Sequence, residues 1–530
     1  MIGTCGCHIL PFQLNIFMPE KKPMAQNRST TQALYLNHQV RDIDYTAIHR
    51  LPAHLRIDGY ALMCRAGLAA FKQLRQHWPT CQSLLVFTGP GNNGGDAWVV
   101  AKLAHQAGIS VQVIFISAPT SQSCIQAAAD YHAAGGTSKA VDFQMLDQDL
   151  AKADCLVDGL LGSGFSGVLR GDYPQLIQMI NAANKPLLAL DIPSGLNGDN
   201  GVASASTIVA DLTISFIAAT LGLFTADASH FTGKVIVEDL QLPAQAFLAH
   251  VPVGHLLDSQ LPKSLIQPRH GNSYKNHHGH LLLAGGSQNM GGAILLAATA
   301  AAKTGAGLVS SLVNDNYCPA FTAAHPGIMF AGWKSADLQL MLNKANALVI
   351  GPGMGQSSQA QQLVSALIDN DLPKVIDADA LNLLASQAAL TDKLQKNAPL
   401  VITPHPGEAA RLLNISTIEV QSDRLSAVKL LQQKFGGVAV LKGAGSLIYD
   451  GQQLWCCPFG NPGMAVAGMG DLLAGIIGSF LAQGHSALNS ACLGVLIHAQ
   501  AGDIAADAGQ IGLQAVDLLP SLRGLVNPTC

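Results

Sequence analysis

From Leu84 onward, short runs rich in Leu, Val and Ile alternate with longer stretches whose apolar residues recur at helical spacing. That alternation predicts βαβ units built around a parallel sheet. Ser83–Thr88 leads through a glycine-rich turn at 89–96 into a helix ending near Gly108, and 111–116 follows as the next strand. Residues 155–158, 187–191, 212–217 and 235–238 complete one doubly wound unit. Between His250 and His278 the pattern lapses into Pro, His, Asn and other polar residues, which predicts a linker. The alternation then restarts, with strands predicted at His280–Ala284, Leu308–Val313, Ala347–Ile350, Lys374–Ile376, 400–403 and 438–442, and long Ala/Gly/Leu helices after Met464. The fold class is therefore α/β in both halves, and no sequence repeat relates them.

Composition narrows the classes of function. The 530 residues suffice for more than one domain, and 49% hydrophobic against 12% charged residues excludes a disordered or coiled-coil chain. Lys and Arg number 30 against 34 Asp and Glu, with no basic run, so the stripe that a nucleic-acid binder needs is missing. The mean hydropathy of +0.27 invites a membrane reading. Yet the most apolar stretches, 205–224 and 465–483, are interrupted by Asp211 and Asp471. Eleven cysteines at irregular spacing predict neither a disulfide framework nor a zinc site, and point to a reducing, cytoplasmic compartment. Residues 1–31 lack the pattern of a secretory signal and are expected to be a tail of no assigned role or an over-long start, with Met18 or Met24 as initiator.

The first glycine-rich turn, GPGNNGGD, sits where a strand gives way to a helix, so free N–H groups and the positive end of the helix dipole face the sheet crevice. Gly89, Gly91 and Gly94 satisfy GxGxxG, but 111–117 offers no acidic residue to hold a ribose as in nicotinamide dehydrogenases. The turn is equally consistent with tight packing. VDGLLGSGFSG and LDIPSGLNGD end two further strands, and a parallel sheet gathers Asn93, Asp158, Asp191 and Ser194 into the same crevice. Such oxygen-rich clusters suit a hard cation, one carboxylate can serve as a base, or the acids simply cap turns.

In the second half the most informative segment is GNPGMAVAGMGDLLAG, where Gly468-Met469-Gly470-Asp471 opens an apolar helix. This aims backbone donors at a phosphate and sets a carboxylate beside them, able to take a proton from a hydroxyl during phosphoryl transfer; helix capping is the plainer role. No GxxxxGK[ST] occurs, which excludes a P-loop NTPase. His270, His277, His278, His280 and His405 lack metal-ligand spacing and read as solvated loop histidines, while Trp455, Cys456 and Cys457 read as core or sheet edge.

Taken in order, GNNGGD, VDGLLGSG, DIPSGLNGD, ITPHPGEAARLL, VLKGAG and GMAVAGMGD resemble the bifunctional NAD(P)H-hydrate repair enzymes over nearly everything after Gln32. The resemblance implies a Rossmann-like NAD(P)H-hydrate epimerase domain at 32–249, a linker and entry segment at 250–278, and a ribokinase-like, ADP- or ATP-dependent dehydratase domain at 279–530. It implies that R and S hydrates of NADH and NADPH are interconverted, and that the S form is phosphorylated on its hydroxyl and loses phosphate. Asn92, Asn93, Gly94, Gly95 and Asp96, with Gly162, Ser163, Gly164, Phe165, Ser166, Gly167, Val168 and Asp191, are the implied epimerase contacts, and Asp191 handles the proton. Asn93, Asp158 and Ser194 are implied potassium ligands. Ala293, Gly355, His405 and Asp471 are implied hydrate contacts, with Asp471 catalytic. Lys442, Gly443, Ala444, Gly445, Ser446 and Gly470 form the implied adenine-nucleotide site, and Glu408 an implied magnesium-ordering acid. Cys64 stands where many members of the family have Glu. A homo-oligomer is expected, with neither nucleic acid nor membrane as partner. The rival readings are a ribokinase-like small-molecule kinase fused to a nucleotide-binding module, and a first domain that serves only as scaffold.

Overall fold

Strands and helices follow one another along residues 83–238, with a helix-free crossover between Leu187–Leu190 and Leu212–Phe216, and seven strands lie parallel in one sheet. The computed structural model describes residues 32–165, 167–334, 338–394 and 398–527, so the expected tail at 1–31 and Ser166 lie outside the described residues. The first sheet runs Thr137–Ala140, Ser110–Phe115, Ser83–Thr88, Cys155–Gly159, Leu187–Leu190, Leu212–Phe216, Lys234–Glu238. Chain order reverses between Ser83–Thr88 and Cys155–Gly159, and a crevice opens beyond the strand ends at such a switch point. Both faces are covered. Leu84 and Val86 enter one apolar cluster and Leu85 and Phe87 the other, as the two-residue period of a strand requires.

The second sheet has twelve strands. Its parallel part runs Met329–Gly332, Leu308–Val313, His280–Ala284, Ala347–Ile350, Lys374–Ile376, Leu400–Ile402, Val438–Leu441, and the antiparallel strands Leu447–Tyr449 and Leu454–Cys456 follow. Leu281 and Leu283 face one core and Leu282 and Ala284 the other. Helix Met469–Ala482 is packed closely on helix Gly291–Lys303, because a Cβ at Gly475 would overlap the Ala297 carbonyl.

The segment expected to be a linker belongs to the fold. Gly254–Leu256 pairs in parallel with Leu454–Cys456 and antiparallel with Ala33–Tyr35, which in turn pairs with Ala219–Thr220. Three short strands from the first 256 residues thus extend the second sheet, and the two halves share one hydrogen-bonded ladder. A fragment starting at residue 279 would leave Leu454–Cys456 as an unpaired edge. It should melt about 5 °C or more below a fragment starting at residue 251, as expected for a loss of about 2 kcal/mol in a domain of this size. Equal melting temperatures by calorimetry would show the strand to be dispensable. Among the described residues no helix is long and apolar enough to cross a membrane.

Candidate functional sites

The first site lies at the switch point. Asn92, Asn93, Gly94, Gly95 and Asp96 form the opening turns of helix Asn92–Gln106, directly after Ser83–Thr88. A Cβ at Gly89 would overlap the Leu160 carbonyl, so the glycine turn is a close-packing requirement as well as an anion-binding shape. Asp158 is fully buried at the end of its strand and accepts three hydrogen bonds: from the Ser194 hydroxyl at 2.7 Å, the Ser194 amide at 2.8 Å and the Leu160 amide at 3.1 Å. Burial nonetheless pushes its carboxyl up to about 6, against those donors. Asn93 donates from Nδ2 to the Leu161 carbonyl at 2.8 Å, and the Ser194 hydroxyl lies 3.2 Å from the same oxygen. The Asn93 Oδ1 atom is buried without a partner. Asn93, Asp158 and Ser194 are therefore brought together, and an all-oxygen set with one negative charge and one unpaired amide oxygen fits a monovalent cation.

Asp191 follows the next strand with φ of +64°, a left-handed conformation that Asp tolerates better than most residues. Its Oδ2 accepts the Ser163 amide at 2.7 Å, which ties the 162–168 loop to it, and burial raises its pKa. Asp96 is held well above the usual carboxylate range by burial and then by the charges of Asp191 and Asp44. Asp44, on helix Asn37–Tyr45, is raised by burial and by Asp191, while His49 opposes the shift. Asp44 was not among the sequence candidates. Its signal is positional: it lies seven residues after the buried Asn37 and four after the buried Val40, on the inward face. Phe165 packs against the Leu85 side of the sheet, Gly164 and Gly167 have open space around them, and Val168 stands 81% exposed.

The second site collects the ends of several parallel strands around the N-terminus of helix Met469–Ala482. Lys442 follows Val438–Leu441 and pairs with the buried Asp377 at 2.7 Å, with Glu408 at 3.9 Å. Burial works against the ammonium, but Asp377 and Glu408 prevail and keep its pKa above the ordinary value. Asp471, third in its helix, is pushed up to about 7 by burial and by the charge of Asp377, with Lys442 opposing. Gly470 is close enough that a Cβ there would lie 3.1 Å from Lys442 Nζ. The amides of Gly443, Ala444 and Gly445 donate to no acceptor among the described residues, which leaves them for an anion.

His405 caps helix Pro406–Leu413: its Nδ1 accepts the Gly407 amide at 3.0 Å, and burial followed by the Lys442 charge lowers its pKa. Glu408 spends one oxygen on the His405 amide at 2.8 Å and sets the other 3.4 Å from the His405 ring. Glu408 therefore positions His405 and Lys442 and keeps acceptor capacity to spare at the place expected of a magnesium-ordering acid. Among the described residues, Asp377 Oδ2 is a buried carboxylate oxygen at this end without a hydrogen-bond partner. Ala293 and Gly355 lie at the rim, where Gly355 donates to Asp379 at 2.8 Å and a Cβ on neighbouring Gly353 would reach Ala293. His280 departs from its expected loop setting: it is buried in a strand, and its Nε2 lies 2.7 Å from the Ser310 hydroxyl.

Two family models match, one described as NAD(P)H-hydrate dehydratase over residues 281–523 and one as YjeF-related protein N-terminus over residues 59–222. A bifunctional NAD(P)H-hydrate repair enzyme of Coxiella burnetii is 43% identical over 498 residues, 93% of this chain and 99% of that protein. Its Escherichia coli counterpart is 40% identical over 474 residues, 88% of this chain and 90% of that protein. A solved structure, the ADP/ATP-dependent NAD(P)H-hydrate dehydratase of Bacillus subtilis co-crystallised with ATP and magnesium, is 27% identical. It covers 51% of this chain and 97% of its own, with a TM-score of 0.46.

Proposed function

This chain belongs to the bifunctional NAD(P)H-hydrate repair enzymes, and from that premise we propose how its two sites divide the work. It is an epimerase and a dehydratase of hydrated NADH and NADPH: the first domain interconverts R and S hydrates, and the second dehydrates the S form with an adenine nucleotide. The observation that carries the division is the pair of separate acidic sites, Asp191 beside a buried oxygen cluster and Asp471 beside Lys442 and unpaired loop amides.

In the second site the nucleotide phosphates lie against the amides of 443–445 and Lys442, and the hydrate against Ala293, Gly355 and His405. Asp471 accepts the proton of the ring hydroxyl as its oxygen bonds to the terminal phosphorus and the shortened nucleotide leaves. The phosphate then departs with the C–O electrons, pushed by the ring nitrogen, and loss of a proton from the adjacent carbon restores the reduced ring. Asp377 and Glu408 hold Lys442 in place throughout. Glu408 is the residue that would order a magnesium ion, which would neutralise charge on the nucleotide phosphates.

In the first site the helix N-terminus and glycine turn take the pyrophosphate, and Asp191, with Asp96 and Asp44 near it, moves the proton at the hydrated ring. Potassium at Asn93, Asp158 and Ser194 would supply positive charge beside the phosphates. The eight described cysteines are free thiols, which supports a cytoplasmic enzyme. A kinase that releases a stable phosphorylated product is disfavoured by relatives that match both halves as repair enzymes. Incubating the protein with chemically hydrated NADH and ADP or ATP should regenerate NADH absorbance and release one phosphate per turnover; a stable phosphorylated product would overturn the reading.

Because the base form of Asp471 is lost as pH falls through about 7, kcat/KM for dehydration should drop about tenfold per pH unit below that point and level off above it. A profile flat from pH 5.5 to 8 would remove Asp471 as the base.

A further inference from the structure

Arg424, which opens helix Arg424–Phe435, has no part in either site as described above, yet it is only 1% exposed. No carboxylate among the described residues lies within ion-pair distance of it. Burial lowers its pKa to about 10, which still leaves the guanidinium charged at neutral pH. A buried, unpaired cation is costly unless its donors are used, and here they are turned on carbonyls. Nη2 reaches Leu441 at 3.2 Å, Lys442 at 3.3 Å and Gly445 at 3.4 Å, while Nη1 reaches Gln421 at 2.8 Å. Its remaining donor, Nε, bonds the Thr225 hydroxyl at 3.0 Å.

Thr225 comes from the first half of the chain, just after the strand Ala219–Thr220 that joins the shared sheet. Its hydroxyl in turn donates a hydrogen bond to the Gly445 carbonyl at 3.1 Å. Gly445 has φ of +61°, and a Cβ there would overlap the Phe224 carbonyl, so 224–225 rests directly on the 442–446 loop. With the loop carbonyls pinned to Arg424 and Thr225, the amides of 443–445 have no acceptor among the described residues.

We propose that Thr225 is a positioning residue for the nucleotide loop, acting with Arg424, so that the epimerase half supplies part of the support for nucleotide binding in the dehydratase half. This rests on the reading of 442–446 as the nucleotide loop. Thr225 touches no reacting atom; it holds carbonyls so that donors face the phosphates before the nucleotide arrives, and preorganisation of this kind appears in affinity.

The test uses the full-length enzyme with saturating S hydrate and varied ADP. Thr225→Val keeps the shape and removes the hydroxyl. It should raise KM for ADP about tenfold, the scale of a lost hydrogen bond to a charged partner, with kcat at saturating ADP and R-to-S exchange unchanged. Thr225→Ser should restore the parent KM. An unchanged KM in Thr225→Val, an equal rise in Thr225→Ser, or a parallel fall in kcat and exchange overturns the proposal. Ala444→Glu places a carboxylate on the exposed loop without touching Thr225, and separates the two readings. If Ala444→Glu leaves KM for ADP unchanged, the nucleotide-loop assignment fails; if it raises KM while Thr225→Val does not, only the positioning role fails.

Discussion

Asp471→Asn lowers the rate of dehydration by at least about a hundredfold, the scale of removing a general base, and leaves epimer exchange and nucleotide affinity near their parent values. The amide has the shape of the carboxylate and keeps its place in the first turn of helix Met469–Ala482, so the fold gives no reason for a broad loss. What disappears is a carboxylate that burial pushes up to about 7, which matches the task of accepting a proton at neutral pH. Stability moves the other way. A carboxyl whose folded-state pKa lies above its unfolded value disfavours folding once the pH exceeds the unfolded value, because the unfolded chain ionises more readily. The Asn variant should therefore melt at or above the parent temperature at pH 7 to 8. Single-turnover rates with preformed enzyme and S hydrate separate chemistry from product release, and calorimetry with ADP reports binding. A variant that retains most of the single-turnover rate would return Asp471 to the role of a helix-capping acid.

The central parallel strands were legible because they are buried on both faces and so appear as short continuous apolar runs, as in Ser83–Thr88 or His280–Ala284. The missed strands lack that signal. Thr137–Ala140 is a polar strand at the sheet margin, and Met329–Gly332 and the hairpin Leu447–Tyr449 with Leu454–Cys456 have three or four residues each. Ala33–Tyr35, Ala219–Thr220 and Gly254–Leu256 are shorter than any periodicity can reveal, and they are strands only because distant partners pair with them. That is why two separable halves were expected where the ladder is shared.

The site residues divide on similar lines. Asp158, Asp191 and Asp471 stood at strand or helix ends beside glycine turns, where topology alone converges them. Asp44 and Arg424 lie on helices with no glycine turn beside them, and their importance depends on which face is buried and on partners far away in sequence, such as Asp191 and Thr225. Asp377 directly follows strand Lys374–Ile376, but its pairing with Lys442 follows from the adjacency of strand ends in space.

Epimer exchange should need a small monovalent cation, and Asp158→Ala should lower it at least about tenfold, as is common when a metal-site residue is lost, with dehydration of pure S hydrate unaffected. Asp158 is the only full charge in a cluster whose other oxygens come from Asn93, Ser194 and the Leu161 carbonyl, and its three protein hydrogen bonds use most but not all of its acceptor capacity. Magnesium demands an octahedral shell and retains its waters, so a buried set with one carboxylate suits a singly charged ion better. The Ala variant also orphans the Ser194 and Leu160 amides and so risks a folding defect; Asp158→Asn keeps the shape and removes the charge, at the cost of setting one amide donor against a backbone N–H. With a carboxyl near 6 in the protein alone, protonation competes with the cation below that pH. The half-saturating potassium concentration should therefore rise about tenfold per unit below pH 6 and be constant above it. The comparison is R-to-S exchange in potassium and in a tetraalkylammonium buffer, with melting temperature against potassium as a readout independent of turnover. Equal rates in the two buffers, together with an unaffected Asp158→Asn, would refute the cation site and leave Asp158 as the buried cap that orders Ser194 and the turn at Leu160.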